Sequence, residues 1–149
     1  MRARQPLAFA LLAAVLLPLG ALADDTLHFP QPQVDAAFAK GMPLAENAQF
    51  KIHASRRDAP GVGEVHLADT DILHVLTGRA VLVTGGVLEQ PSEVAPGELR
   101  GPRIAGGVER RLAPGDVVVV PNGTPHWFKT VEGPVTYFVV KTTATGAVR

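Results

Sequence analysis

The run Gly115-Asp-Val-Val-Val-Val-Pro121-Asn-Gly123-Thr-Pro-His126 leaves this chain little room for anything but a β architecture. Gly115 supplies the turn freedom that opens a strand. Four consecutive valines follow at 117–120, a β-branched run of the kind that suits a strand covered on both faces. Pro121 cannot donate to a sheet ladder and so closes the strand, and Asn122-Gly123 reads as a turn. His126 then opens the next strand, over 126–131. A histidine set between these turn residues and a strand is aimed by backbone geometry rather than by chance packing.

The rest of the chain agrees. Phe50, Ile52 and Ala54 alternate with Lys51, His53 and Ser55, the pattern of a half-buried strand. Further strands are expected at 64–67, 71–76, 79–83, 108–112, 117–120, 126–131 and 135–141. A short helix is expected over 33–40, where Val34, Ala37 and Phe38 are apolar and Gly41 ends the run. Residues 85–107 are rich in Gly, Pro and Glu, too long for a hairpin and too poor in apolar residues for a domain. Regular short strands with at most one helix predict an all-β fold, a double-sheet jelly-roll barrel.

The Gly115–His126 spacing resembles the second motif of the cupin superfamily, G-x5-P-x-G-x2-H-x3-N, in which the histidine is a metal ligand. Thr130 stands where the family has asparagine, a position that is not a ligand. The first motif, G-x5-H-x-H-x3-4-E-x6-G, is met by Glu64-Val-His66-Leu-Ala-Asp-Thr-Asp71 and then Gly78. His66 matches the second histidine, Asp71 falls in the glutamate position, and Glu64 replaces the first histidine. The opening glycine is displaced, since Gly61 and Gly63 lie closer to Glu64 than the pattern asks. The two motifs with their intervening strands span about half of the chain beyond residue 23, and 85–107 becomes the loop between motifs. The resemblance implies a double-stranded β-helix barrel over 50–149, preceded by an extension at 24–49.

It also implies that Glu64, His66, Asp71 and His126 converge in the barrel mouth. Two imidazoles with one or two carboxylates suit a divalent Zn, Mn, Fe or Ni. His66, Asp71 and His126 would form a two-histidine, one-carboxylate face, with Glu64 as a fourth ligand or a catalytic general base. The opposing reading is a barrel without metal that keeps these residues as hydrogen-bonded packing. Phe128 shares the His126 face and would narrow the cavity. Tyr137 and Lys141 share a face on the last strand, either lining the pocket or, for Tyr137, in the core. Arg57, Phe128 and Tyr137 are the candidate ligand-binding side chains. His74 lies on the face opposite Asp71, between sheets or at an interface. His53 shares with Lys51, Ser55 and Arg57 a face that is more often solvent than pocket, though a cupin cavity can be polar. Trp127 reads as core or subunit-interface packing.

Arg2 and Arg4 precede an uncharged, mostly apolar run from Leu7 to Ala23 that ends in Ala21-Leu22-Ala23, the pattern of a cleaved secretory signal peptide over 1–23. The run is short for a bilayer span, for which ~20 apolar residues are expected. Cleavage would leave 12 basic against 14 acidic residues, a balance with no footprint for nucleic acid or anionic membrane. With no cysteine in the chain, thiol catalysis and thiolate ligation are excluded. The expectation is a periplasmic or secreted single-domain protein that binds a divalent metal and a small polar molecule. As an enzyme it would be a metal-dependent oxygenase or isomerase; the alternative is a binding module without turnover. The partners expected are a small-molecule ligand or substrate, no nucleic acid and no membrane anchor after cleavage, with a homodimer left open.

Overall fold

The computed structural model describes residues 25–143. The expected signal peptide therefore lies outside the described residues. The first element is α1 (Gln31–Lys40), two residues longer at its start than anticipated. Pro30 stands just before it and Gly41 ends it in a left-handed conformation, its N–H bonded to the Ala37 carbonyl. Eleven strands follow: β1 (Met42–Glu46), β2 (Phe50–Arg57), β3 (Gly63–His66), β4 (Asp69–Thr84), β5 (Val87–Leu88), β6 (Ser92–Ala95), β7 (Glu98–Gly101), β8 (Ile104–Ala105), β9 (Val108–Leu112), β10 (Val117–Val120) and β11 (His126–Thr143). Among the described residues no helix is long and apolar enough to cross a membrane.

The long antiparallel pair β4 and β11 is the spine of the fold. The sequence predicts each of them as two strands, broken near Gly78 and Gly133-Pro134. Both instead run through as single bent strands, with register shifts at Phe128/Thr130 and between Glu132 and Tyr137. Gly78 makes the bend possible, because its φ is +75° and a Cβ there would lie 2.4 Å from the Pro134 carbonyl oxygen. The bend changes direction without ending the ladder. Around this spine β2 pairs with the second half of β11, β3 joins at His126, and β9 and β10 both pair along β4.

The two halves of the bent spine meet in one core. Leu73, Val75, Tyr137 and Val139 from one half pack with Ala80, Leu82 and Phe128 from the other, together with Leu112, Val120 and Val135. The architecture is a curled, jelly-roll β barrel. A smaller cluster of Val65, Val83, Leu88 and Ile104, flanked by Leu99 and Trp127, lies beside it. Trp127 also donates its indole N–H to the Gly61 carbonyl at 2.8 Å.

Three expectations need correction. Segment 85–107, expected as a loop between motifs, carries β5 to β8, buries Leu88 and Ile104, and lays β7 along β3. Leu88 and Ile104, with Leu99 packed against them, suffice to dock it, while Val87 and Val94 stay exposed. Gly101 permits this close packing, since a Cβ there would lie 2.2 Å from the Glu89 carbonyl oxygen. Next, β10 is not covered on both faces, and Val117 and Val119 are 62% and 57% exposed. The strand is hydrogen-bonded only to β4, so a β-branched run here marks an edge strand with one buried face. Finally, the Lys51–His53–Ser55–Arg57 face of β2 points inward. Helix α1 covers the other face, with Phe38 edge-on to Phe138 at 4.8 Å and Ala54 fully buried, so the polar side is turned into the barrel.

Candidate metal centre

His126 and Glu64 face each other as register partners between β11 and β3, and His66 lies two residues further along the Glu64 side of β3. The turn before His126 is clasped to the end of β3. Gly123 N–H donates to the His66 carbonyl at 2.7 Å, and the Asn122 side-chain amide donates to the Leu67 carbonyl at 3.1 Å. The Asn-Gly pair that punctuates the sequence thus fixes one histidine's strand against the other's. One ligand atom each from Glu64, His66 and His126 lies within 4.8 Å of the other two, and the imidazole centroids are 5.1 Å apart.

Both imidazoles are oriented for coordination. His66 Nδ1 is hydrogen-bonded to the Glu98 carboxylate, delivered by the register of β7 against β3. His126 Nδ1 donates to the Thr124 carbonyl at 3.2 Å. With each Nδ1 serving as donor, each Nε2 presents a lone pair inward. Burial, and then the neighbouring His66, push the His126 pKa below the ordinary histidine value, which favours the neutral ring a metal needs. Two neutral imidazoles and a carboxylate, backed by a carboxylate and a carbonyl, form a donor set that fits a divalent transition metal.

Asp71 stands beside this group. Its Oδ2 lies 3.5 Å from His66 Nε2 and 3.9 Å from His126 Nε2, but both its oxygens accept from Lys141 Nζ, at 2.7 and 2.8 Å. The structure thus brings together all four residues singled out from the sequence, three of them as a mutually close donor set and Asp71 as the partner of a lysine.

The site opens into a cavity of about 400 Å³. Arg57, Phe128 and Tyr137 all line it. Phe128 and Tyr137 stack at 5.1 Å, Arg57 lies 4.6 Å over the Phe128 ring, and Arg57 Nε donates to the Tyr137 hydroxyl at 3.0 Å. Burial pushes the Tyr137 pKa up, so the phenol keeps its proton. Tyr137 belongs to core and cavity at once, its ring in the apolar cluster and its hydroxyl on the wall.

These observations coincide with the comparison to known proteins. The family model described as Cupin matches residues 29–149. The chain belongs to the cupin family. Solved structures agree on the fold. A protein from Bacillus halodurans superposes with a TM-score of 0.55 at 13% identity, over 80% of this chain and 83% of that one. A protein from Neisseria meningitidis gives 0.50 at 14% identity, over 74% and 96%. No curated protein matches the chain.

Within this cupin barrel several site residues escape sequence reasoning. Glu98 lies in the segment between the motifs, and only the β3–β7 pairing reveals it as the partner of His66. Lys51 pairs with Asp69 at 2.6 Å, and Glu46 with His53 at 2.8 Å, both on the cavity side of the first strands. The alternation of Lys51, His53, Ser55 and Arg57 is the signal that could have found this wall. His74 is exposed and distant in register from the donor set.

Proposed function

We propose that this cupin holds a divalent transition metal on Glu64, His66 and His126 and uses it on a small oxygen-rich molecule in the barrel cavity, as an isomerase or oxygenase. The observation that carries this reading is the pair of inward Nε2 atoms, each oriented by a hydrogen bond at Nδ1, converging with the Glu64 carboxylate on the wall of a polar cavity. A metal bound there would act as a Lewis acid toward a ligand oxygen. The chain's own groups do the rest. Phe128 and the aliphatic neighbours Leu73 and Val139 supply the apolar part of an otherwise polar wall and limit the space. Arg57 and Ser55 both engage the Tyr137 hydroxyl and hold it on the cavity wall, where it can face a ligand oxygen. Lys141 and Asp71 place a second proton-bearing pair beside the histidines. Glu64 is taken as a ligand rather than a general base, since one of its oxygens lies within 4.8 Å of a nitrogen of each imidazole and, unlike Asp71, it is not held by a lysine.

A second reading, metal or ligand binding without turnover, is favoured by one observation. Most carboxylates around the cavity already have a cationic or imidazole partner: Glu98 with His66, Asp71 with Lys141, Glu46 with His53. No uncommitted base is evident among them.

The test is metal content. His126→Ala should lose stoichiometric metal by elemental analysis while its β-rich circular dichroism persists, and His74→Ala should keep the metal. A folded His126→Ala protein with unchanged metal overturns the site; turnover by the loaded wild type then separates enzyme from binder. Export remains part of this proposal, resting on the Arg2/Arg4 start, the apolar run and Ala21-Leu22-Ala23. Amino-terminal sequencing of the exported protein should begin at or near Asp24, and an intact Met1 would reject it.

A further inference from the structure

Glu64 is shared. Its Oε2 faces His66, while its Oε1 lies 3.8 Å from Nη2 of Arg57. That separation is longer than a hydrogen bond, so the pair is an electrostatic one with room to part. Arg57 is otherwise held firmly. Nε is committed to Tyr137, the guanidinium lies over Phe128, and Nη1 packs so closely on Gly61 that a Cβ there would sit 2.5 Å away. What remains is the Nη2 edge, directed at the donor set and the cavity. Apart from Glu64, no carboxylate among the described residues forms an ion pair with Arg57.

A divalent ion on Glu64, His66 and His126 would change the charge in this corner. Glu64 is the only anion among the three donors, and it is also the counter-charge of Arg57. Without metal, Arg57 and Glu64 sum to zero. With it, the charge of the same corner rises by two units, next to a half-buried guanidinium whose counter-ion has been drawn to the metal. The free Nη2 can donate to one oxygen of a carboxylate whose other oxygen faces the metal, a charge-assisted hydrogen bond from an already held guanidinium.

We infer that metal loading converts Arg57 into the anchor of an anion subsite, so that this cupin takes a small carboxylate spanning the metal and Arg57, and binds it cooperatively with the metal. The inference rests on the metal reading above and adds the ligand class to it. Because coupling is reciprocal, the carboxylate also tightens the metal.

Calorimetric titration of malonate into metal-free protein and into protein carrying one equivalent of zinc tests this. Malonate should bind the loaded wild type about 5- to 150-fold more tightly than the metal-free protein, the usual range of such coupling. Its neutral analogue malonamide should show no such gain. Arg57→Gln should still take up one zinc by elemental analysis but lose the malonate gain, and Arg57→Lys should recover only part of it. Equal malonate affinity with and without zinc overturns the coupling while leaving the metal site standing. A full gain in a folded Arg57→Gln protein overturns the role of Arg57. Inorganic phosphate binding the loaded protein as tightly as malonate overturns the carboxylate class. Absence of stoichiometric zinc in the wild type overturns the metal reading and this inference together.

Discussion

Lys141→Met is the most informative single change in the barrel. Lys141 and Asp71 are cross-strand partners on β11 and β4, with side chains 12% and 6% exposed and Nζ at 2.7 and 2.8 Å from the two carboxylate oxygens. At that separation the Coulombic attraction is about 6 kcal/mol for an effective dielectric near 20, much of it offset by the desolvation of both groups. Methionine keeps the packing of the stem but strands the carboxylate, and breaking a buried pair in this way costs about 3–5 kcal/mol. In a domain of this size that corresponds to a fall in Tm of roughly 10–20 °C for the metal-free protein. Freed from the lysine, Asp71 becomes available to the ion beside the two histidines. Added metal should therefore raise the Tm of the variant by more than it raises that of the wild type. The assay is thermal unfolding by calorimetry, in chelator and with one equivalent of zinc. Lys141→Met/Asp71→Asn, which removes both charges, should recover most of the metal-free loss. A metal-free loss below about 1 kcal/mol, or an equal metal-induced rise in both proteins, would refute the tethering of Asp71 by Lys141.

Three further outcomes follow from the same geometry. Glu98→Gln weakens the carboxylate behind His66 and should lower metal affinity by about 10- to 100-fold without unfolding the barrel, as measured by competition with a chromophoric chelator. Asp69 is pushed up by burial, but hydrogen bonds from Lys51 and Thr143 outweigh this and hold its pKa below the ordinary carboxylate value. Its contribution to stability is thus complete above about pH 4 and lost as the pH falls through the lower folded-state value, so urea unfolding between pH 5 and 2 should show an acid slope that Lys51→Met reduces. Gly78→Ala places a side chain at φ +75° against the Pro134 carbonyl and should destabilise by more than about 1–2 kcal/mol in urea titration, whereas Gly133→Ala, with φ +72° but open space around it, should cost less.

Turn chemistry and strand spacing are local and could be read from the chain, while the grouping of Glu64, His66, Asp71 and His126 came from the resemblance to cupin motifs. Gly115, Pro121 and Gly123 must punctuate wherever they occur, and the period-two rule places Glu64 and His66 on one face with no knowledge of the fold. The punctuation also misled. A glycine with positive φ reads as the end of a strand, but at Gly78 it bends a continuous one, and whether a ladder survives a bend depends on what pairs across it. Four valines read as a doubly covered strand, but exposure depends on neighbours that the run itself does not name.

Sequence alone therefore determined the β class, the turn between β10 and β11 and the types of side chain available for ligation, all consequences of backbone chemistry within a few residues. The tertiary structure decided the pairings. It set Glu98 behind His66 through the register of β7 on β3, gave Asp71 to Lys141 across β4 and β11, and turned the polar face of β2 inward by laying α1 on the other. Each of these joins residues distant in the chain, and a charge or a lone pair acts through space. Its partner is fixed only when strand register closes the distance between them.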